Sequence, residues 1–267
     1  MPAPDSINTE LAAAQEALLA SADLVVLGRM PWSSNATFLC ELWPAGSRPD
    51  AGLDGDDQDD AADDATTEGS GSLGRAIYKP HGGERPLWDF PDGLFRREVA
   101  AYDLARAIGW DVVPPTIVKD GPFGPGSLQF FIDADFDQHY FTLLEDEATH
   151  VQLRRMAAFD FVANSTDRKG GHVLVDPDRH LWGIDNGLCL HAEFKLRTVI
   201  WDFGGDPLPA DLAEDLDRFV QVALAPEVAA VLDPFERDAL HTRARALLAD
   251  GRLPTDQTGR RYPWPLV

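Results

Sequence analysis

Lysine is scarce in this chain: Lys79, Lys119, Lys169 and Lys195 are the only four among 267 residues, against nineteen arginines. Cations as a whole are outnumbered, with 23 basic side chains facing 45 acidic ones for a formal charge of −22. A surplus of that size repels nucleic-acid backbones and anionic lipid surfaces, which argues against DNA, RNA and membrane binding. Cysteine is almost missing. Cys40 and Cys189 stand far apart without a CxxC partner, which supports neither a zinc ribbon nor a disulfide-stapled secreted domain. The first 28 residues contain Asp5, Glu10, Glu16 and Asp23 but no Lys or Arg, and no apolar run approaches a membrane span. The expectation is a cytoplasmic protein with neither signal peptide nor transmembrane helix.

What is present falls into two halves. Residues 10–21 (ELAAAQEALLAS) form an amphipathic helix pattern, and 23–27 (DLVVL) with 36–43 (ATFLCELW) read as a hairpin around the turn chemistry of 28–35. From about 46 to 74 the chain is mostly Gly, Ser, Ala, Thr and Asp, with nine acidic and no basic side chains between Asp50 and Glu68. That composition cannot support a packed core, so a disordered acidic insert is expected there. A third strand (75–79), a helix over 91–108 with Asp92 placed as its cap, and strands at 112–119 and 126–132 follow. Beyond Ile132 the pattern turns helical: 150–164, a short strand pair at 172–175 and 181–184, then 210–224 and 226–250 with a break at Pro234. Strands first and helices second define an α+β protein, with an N-terminal part over 1–132, a C-terminal part over 133–267 and a cleft between them.

Two clusters carry chemistry. Lys79 ends the third strand and Glu98 lies in the next helix; separately they are ordinary surface charges, but together they suit a cation fixed against the α- and β-phosphates of ATP. The second cluster is FDFVANSTDRKGGHVL, residues 159–174, followed by GIDNG at 183–187. A strand pair between Asp167 and Asp185 returns the second carboxylate beside the first, the arrangement of a base next to a metal site; read separately, one is a cap and the other a turn. Asp160, inside an apolar helical run, demands a polar partner and is expected to orient the loop. Lys195 and Arg197 follow as cations suited to an anionic substrate or a γ-phosphate.

These residues resemble the catalytic loop (GDRHxxN or NTDRHxxN) and the IDxG metal segment of the phosphatidylinositol 3/4-kinase-like and HipA-type branch of the protein-kinase superfamily. The resemblance runs from about Leu24 to Leu224 and keeps the order of strand lysine, helix glutamate, hinge strand, DR loop and IDxG. The chain is also similar to an actinobacterial group described as phosphatidylinositol-kinase-like. The resemblance implies a two-lobed protein-kinase-like fold, with a β-rich N-lobe and an α-helical C-lobe. It implies ATP with Mg or Mn as cofactors and a role for each matching residue: Lys79 on the phosphates with Glu98 as its partner, Gln129, Phe130, Phe131 and Ile132 as the hinge facing adenine, and Ser33, Ser34 and Asn35 covering the phosphates. Asp167 would accept or orient the acceptor's proton, with Lys169 beside it, and Asp185 would chelate the divalent ion.

Departures are equally visible. Lys169 stands where the branch has histidine, and His172 stands where it has the asparagine that takes a second metal, an exchange that favours Mn or Zn over Mg. Asn186 replaces the phenylalanine of DFG. The expected activity is phosphoryl transfer from ATP to a hydroxyl of a soluble small molecule or protein, without nucleic acid or stable membrane association. Lys169 and His172 leave open a weakly active nucleotide-binding homologue that works through a partner, and the motifs do not separate kinase from AMP transferase.

Overall fold

A computed structural model describes residues 4–31, 33, 35–47 and 71–267. Most of the acidic stretch, and Ser34, lie outside the described residues. The chain divides into two compact units: Met1–Val99 with Pro115–Phe131, and Ala100–Pro114 with Ile132–Val267.

The first unit opens with helix α1 (Pro4–Ser21) and is built on strands β1 (Asp23–Arg29), β2 (Phe38–Trp43), β3 (Gly74–Pro80), β4 (Thr116–Gly121) and β5 (Gly124–Phe130). All neighbours pair antiparallel in the order β1-β2-β3-β5-β4. Alternation sorts the faces. In β3, Ala76 and Tyr78 are fully buried and join a core with Leu19, Leu24, Cys40, Leu42 and Leu128, while Arg75, Ile77 and Lys79 alternate with them. Burial pushes the Cys40 thiol up to about 12, which leaves it a core side chain without thiolate chemistry. Lys119 holds the end of α1, donating to the carbonyls of Leu19 (3.1 Å), Ala20 (2.6 Å) and Ala22 (2.9 Å), orphans of the helix C-terminus.

Helix α2 (Leu94–Ile108) starts in the first unit and ends in the second. Its cap differs from the sequence expectation. Glu84, not Asp92, accepts from the leading amides of Leu94 (2.9 Å) and Phe95 (2.6 Å), while Asp92 lies 3.0 Å from His81 Nε2. Gly93, at φ +87°, turns the chain between Asp92 and the first helical residue, so the cap is supplied from ten residues upstream.

The second unit holds α3 (Tyr140–Leu143), α4 (His150–Ala163), the hairpin β6 (Val173–Val175) and β7 (Leu181–Gly183), then α5 (Ala210–Val220), α6 (Pro226–Val231) and α7 (Pro234–Asp250). Its core joins Leu104, Trp110, Leu153, Met156, Phe159, Leu181, Leu216 and Leu240. Pro234 separates α6 from α7, opening α7 behind an Asp233/Glu236 capping box. No helix among the described residues is long and apolar enough to cross a membrane.

Candidate functional site

In the first unit β3 delivers Lys79 to α2. Its Nζ lies 3.0 Å from Glu98 Oε2, with the lysine side chain 21% exposed and the glutamate 4%. The ammonium is thus paired with a buried carboxylate, and part of the lysine side chain remains exposed. In the turn between β1 and β2, Ser33 Oγ is 2.7 Å from Thr37 Oγ1, and Asn35 Oδ1 accepts from Arg85 N at 3.1 Å. Gln129 and Phe130 are the last residues of β5, and the buried Gln129 amide donates to Thr116 Oγ1 at 2.9 Å. The Phe130 and Phe131 amides donate to Pro115 O (2.8 Å) and Arg75 O (3.1 Å), and Ile132 begins the next stretch of the second unit.

In the second unit a buried ion pair organises the loop after α4. Asp160, on the helix, and Arg168, on the loop, are essentially inaccessible and meet with Nε at 3.0 and 3.2 Å from the two carboxylate oxygens. The guanidinium has further partners in Ile184 O (2.6 Å) and Asn186 Oδ1 (2.6 Å), while Thr198 Oγ1 donates to Asp160 Oδ2 (3.0 Å). One arginine therefore ties the Asp167 loop to the Asp185 loop. A buried pair of this kind costs about 3–5 kcal/mol to break from one side, because the remaining charge is left unpaired. Asn164 ends α4 at φ 56°, a left-handed conformation asparagine tolerates, and its side chain bonds the backbone of His191, Glu193 and Lys195.

The candidate side chains stand on this frame. Asp167 Oδ2 is 3.0 Å from Lys169 Nζ, both partly exposed. Burial raises the Asp167 carboxyl above the ordinary aspartate range; Lys169 and Arg197 pull it down and Asp185 pushes it up. Asp185 itself sits at φ +58° with its side chain half exposed, and its Oδ2 lies 3.5 Å from His172 Nε2. The Lys169 amide faces His172 Nδ1 at 3.4 Å within the 3₁₀ turn Gly170–His172. Asp167, Lys169, His172 and Asp185 thus gather in one unit, and Lys79 with Glu98 in the other.

Sequence reasoning missed Thr198 as the third member of the Asp160–Arg168 network, and the strand-like pairing of Arg168 with the 197–199 segment. Arg168 N donates to Arg197 O, and Val199 N to Arg168 O. Backbone partners of this kind leave no mark in residue identity.

The chain belongs to the family of Protein Rv2133c of Mycobacterium tuberculosis, with which it is 39% identical over 292 aligned positions, 94% of this chain and 95% of that protein. No protein-family model matches it. Among solved structures it is similar to the Golgi casein kinase with Mn/ADP bound, at a TM-score of 0.54 and 11% identity over 97% of this chain and 81% of that one. A second crystal structure of the Golgi casein kinase gives 0.54 and 11%, over 90% and 74%. The fold is kinase-like.

Proposed function

We propose that the chain is an ATP- and divalent-metal-dependent phosphotransferase acting on a hydroxyl of a soluble small molecule or protein. The observation that carries the reading is the Asp160–Arg168 network, which holds the loops of Asp167 and Asp185 on one buried arginine. Without that tie the two carboxylates would be separate surface acids.

The residues fit a divalent ion. Asp185 Oδ2 and His172 Nε2 are 3.5 Å apart, close to the roughly 3 Å between adjacent ligands bound at about 2.0–2.3 Å. Asp185 and His172 would hold such an ion, which would supply charge neutralisation for the phosphates of the nucleotide. Lys79, held by Glu98, opposes the phosphate charge of the nucleotide, and Asp167 accepts the acceptor hydroxyl's proton or orients that hydroxyl. Its raised proton affinity suits a base more than that of an exposed aspartate would. Lys169, 3.0 Å from Asp167, keeps that carboxylate oriented and adds positive charge beside the transferred group. The motif order also supports kinship with the phosphatidylinositol 3/4-kinase-like and HipA-type branch. The acceptor departs from that label: a formal charge of −22 opposes approach to an anionic bilayer, and the paired arginines at 96–97, 154–155 and 260–261 are too scattered to reverse it.

Incubation with γ-labelled and with α-labelled ATP, in parallel over soluble metabolites, lysate proteins and phosphatidylinositol vesicles, tests the reading. The expected result is γ-label on a soluble hydroxyl. Transfer of α-label would make the protein an AMP transferase, label on the vesicle lipid would restore a lipid kinase, and nucleotide binding without transfer would leave a binding protein.

A further inference from the structure

Residues 251–267, which follow α7, return along the second unit and bond to the segments that carry Asp167. Leu253 exchanges backbone hydrogen bonds with residues 205 and 206, its amide donating to Asp206 O and its carbonyl accepting from Gly205 N, both at 2.9 Å. Asp256 then accepts from Thr258 N (2.9 Å), Thr258 Oγ1 (2.6 Å) and Arg261 N (2.9 Å), closing a turn that presents Arg261. Arg261 O accepts from Thr198 N and from Trp201 Nε1, each at 3.1 Å, and its guanidinium lies 4.7 Å from the Phe194 ring centroid. Five residues on, Leu266 O accepts from Gly170 N at 2.6 Å.

The last contact falls where the loop most needs it. Gly170-Gly171 follows Lys169 directly, and two successive glycines have the widest backbone freedom of any pair. Upstream the loop is fixed by the buried Arg168 side chain. At Gly170 a Cβ would lie 3.1 Å from Phe141 Cε2 and 3.3 Å from Leu266 O, so the position is enclosed between the α3 aromatic and the returning segment.

We propose that the segment 261–267 is a positioning element for phosphoryl transfer: the Leu266 carbonyl takes the Gly170 amide, removes the freedom of the diglycine, and so holds Lys169 against Asp167. The inference rests on the phosphotransferase reading above. In this role the segment acts through the backbone of residues 169–171.

The test compares the full chain with one stopped after Pro263, which keeps the Asp256 turn and the Arg261 contacts, and with Gly170→Ala in the full chain, whose Cβ presses on Leu266 O. Four quantities are read: exchange of the Gly170 amide, melting temperature, affinity for ATP with Mn, and single-turnover transfer of γ-label. The Gly170 amide is expected to exchange at least roughly tenfold faster in both variants, since its acceptor is lost or displaced. Turnover should fall about 10–100-fold, the scale of a misplaced catalytic group, with nucleotide affinity unchanged. A segment that merely stabilised the unit would lower melting temperature and affinity along with turnover. Equal Gly170 exchange in the full and shortened chains would overturn the clamp, and full turnover alongside fast exchange would overturn its positioning role. If the full chain transfers no phosphoryl group, the phosphotransferase reading falls and the positioning role with it, while Gly170 exchange still decides whether the clamp exists.

Discussion

Asp167 is pulled in two directions. Burial and the neighbouring Asp185 favour its protonated form, while Lys169, 3.0 Å away, and Arg197 favour the carboxylate. The balance leaves its proton affinity raised, so in the metal-free protein the Asp167 carboxyl should titrate above the ordinary aspartate range. Lys169→Met removes the lowering partner, and the midpoint must then move further up. Carbon-13 carboxyl titration of the two proteins reads this directly; a midpoint that stays put or falls in the variant would show that Lys169 does not act on Asp167. Much of this was legible at the level of single residues. Lysine scarcity drew attention to Lys79, the DR-loop resemblance to Lys169, and Asp160, stranded in an apolar helix, demanded a polar partner, which Arg168 provides. Arg197 was legible only as a cation near an anionic group, because its backbone pairing with residues 165 and 168 is what brings it near Asp167.

Among elements, the approach of β3 to β5 sets the place of Lys79. Gly126 pairs with Pro80, and a Cβ there would lie 2.3 Å from Lys79 O and 2.7 Å from Pro80 Cα, distances that backbone cannot relieve by a rotamer change. Gly126→Ala should therefore destabilise the protein by about 1–3 kcal/mol in urea unfolding and weaken ATP binding by shifting Lys79. Unchanged stability together with unchanged ATP affinity would show that β3 does not depend on this contact. Most strands and helices were readable from apolar periodicity, since a period of 2 or 3.6 is a local property of the chain, while the four-residue α3 was not read. Their ends were less so. The cap of α2 comes from Glu84 across a turn at Gly93, a tertiary partner that competes successfully with the nearer Asp92. The 261–267 segment carried no periodicity at all, because its key contacts are made by carbonyl oxygens that every residue possesses.

At the scale of the whole molecule, each of two units has its own core, and Lys79 and Glu98 lie in one while Asp167 and Asp185 lie in the other. The kinase-like fold was legible through a resemblance, carried by Lys79, Glu98, the Asp167-Arg168 loop and the 183–187 segment taken in that order. The acceptor was not, because the residues that would recognise it are spread over loops without a pattern of their own. Under the proposed phosphotransferase reading, a formal charge of −22 would favour a soluble acceptor over an anionic bilayer. The central claim, that Asp167 serves phosphoryl transfer from ATP, is tested most directly by single-turnover transfer of γ-label in the wild type, Asp167→Asn and Lys79→Ala. The account predicts a fall of at least roughly 100-fold for Asp167→Asn with nucleotide binding retained, and loss of both transfer and binding for Lys79→Ala. Equal transfer by the wild type and Asp167→Asn would contradict it.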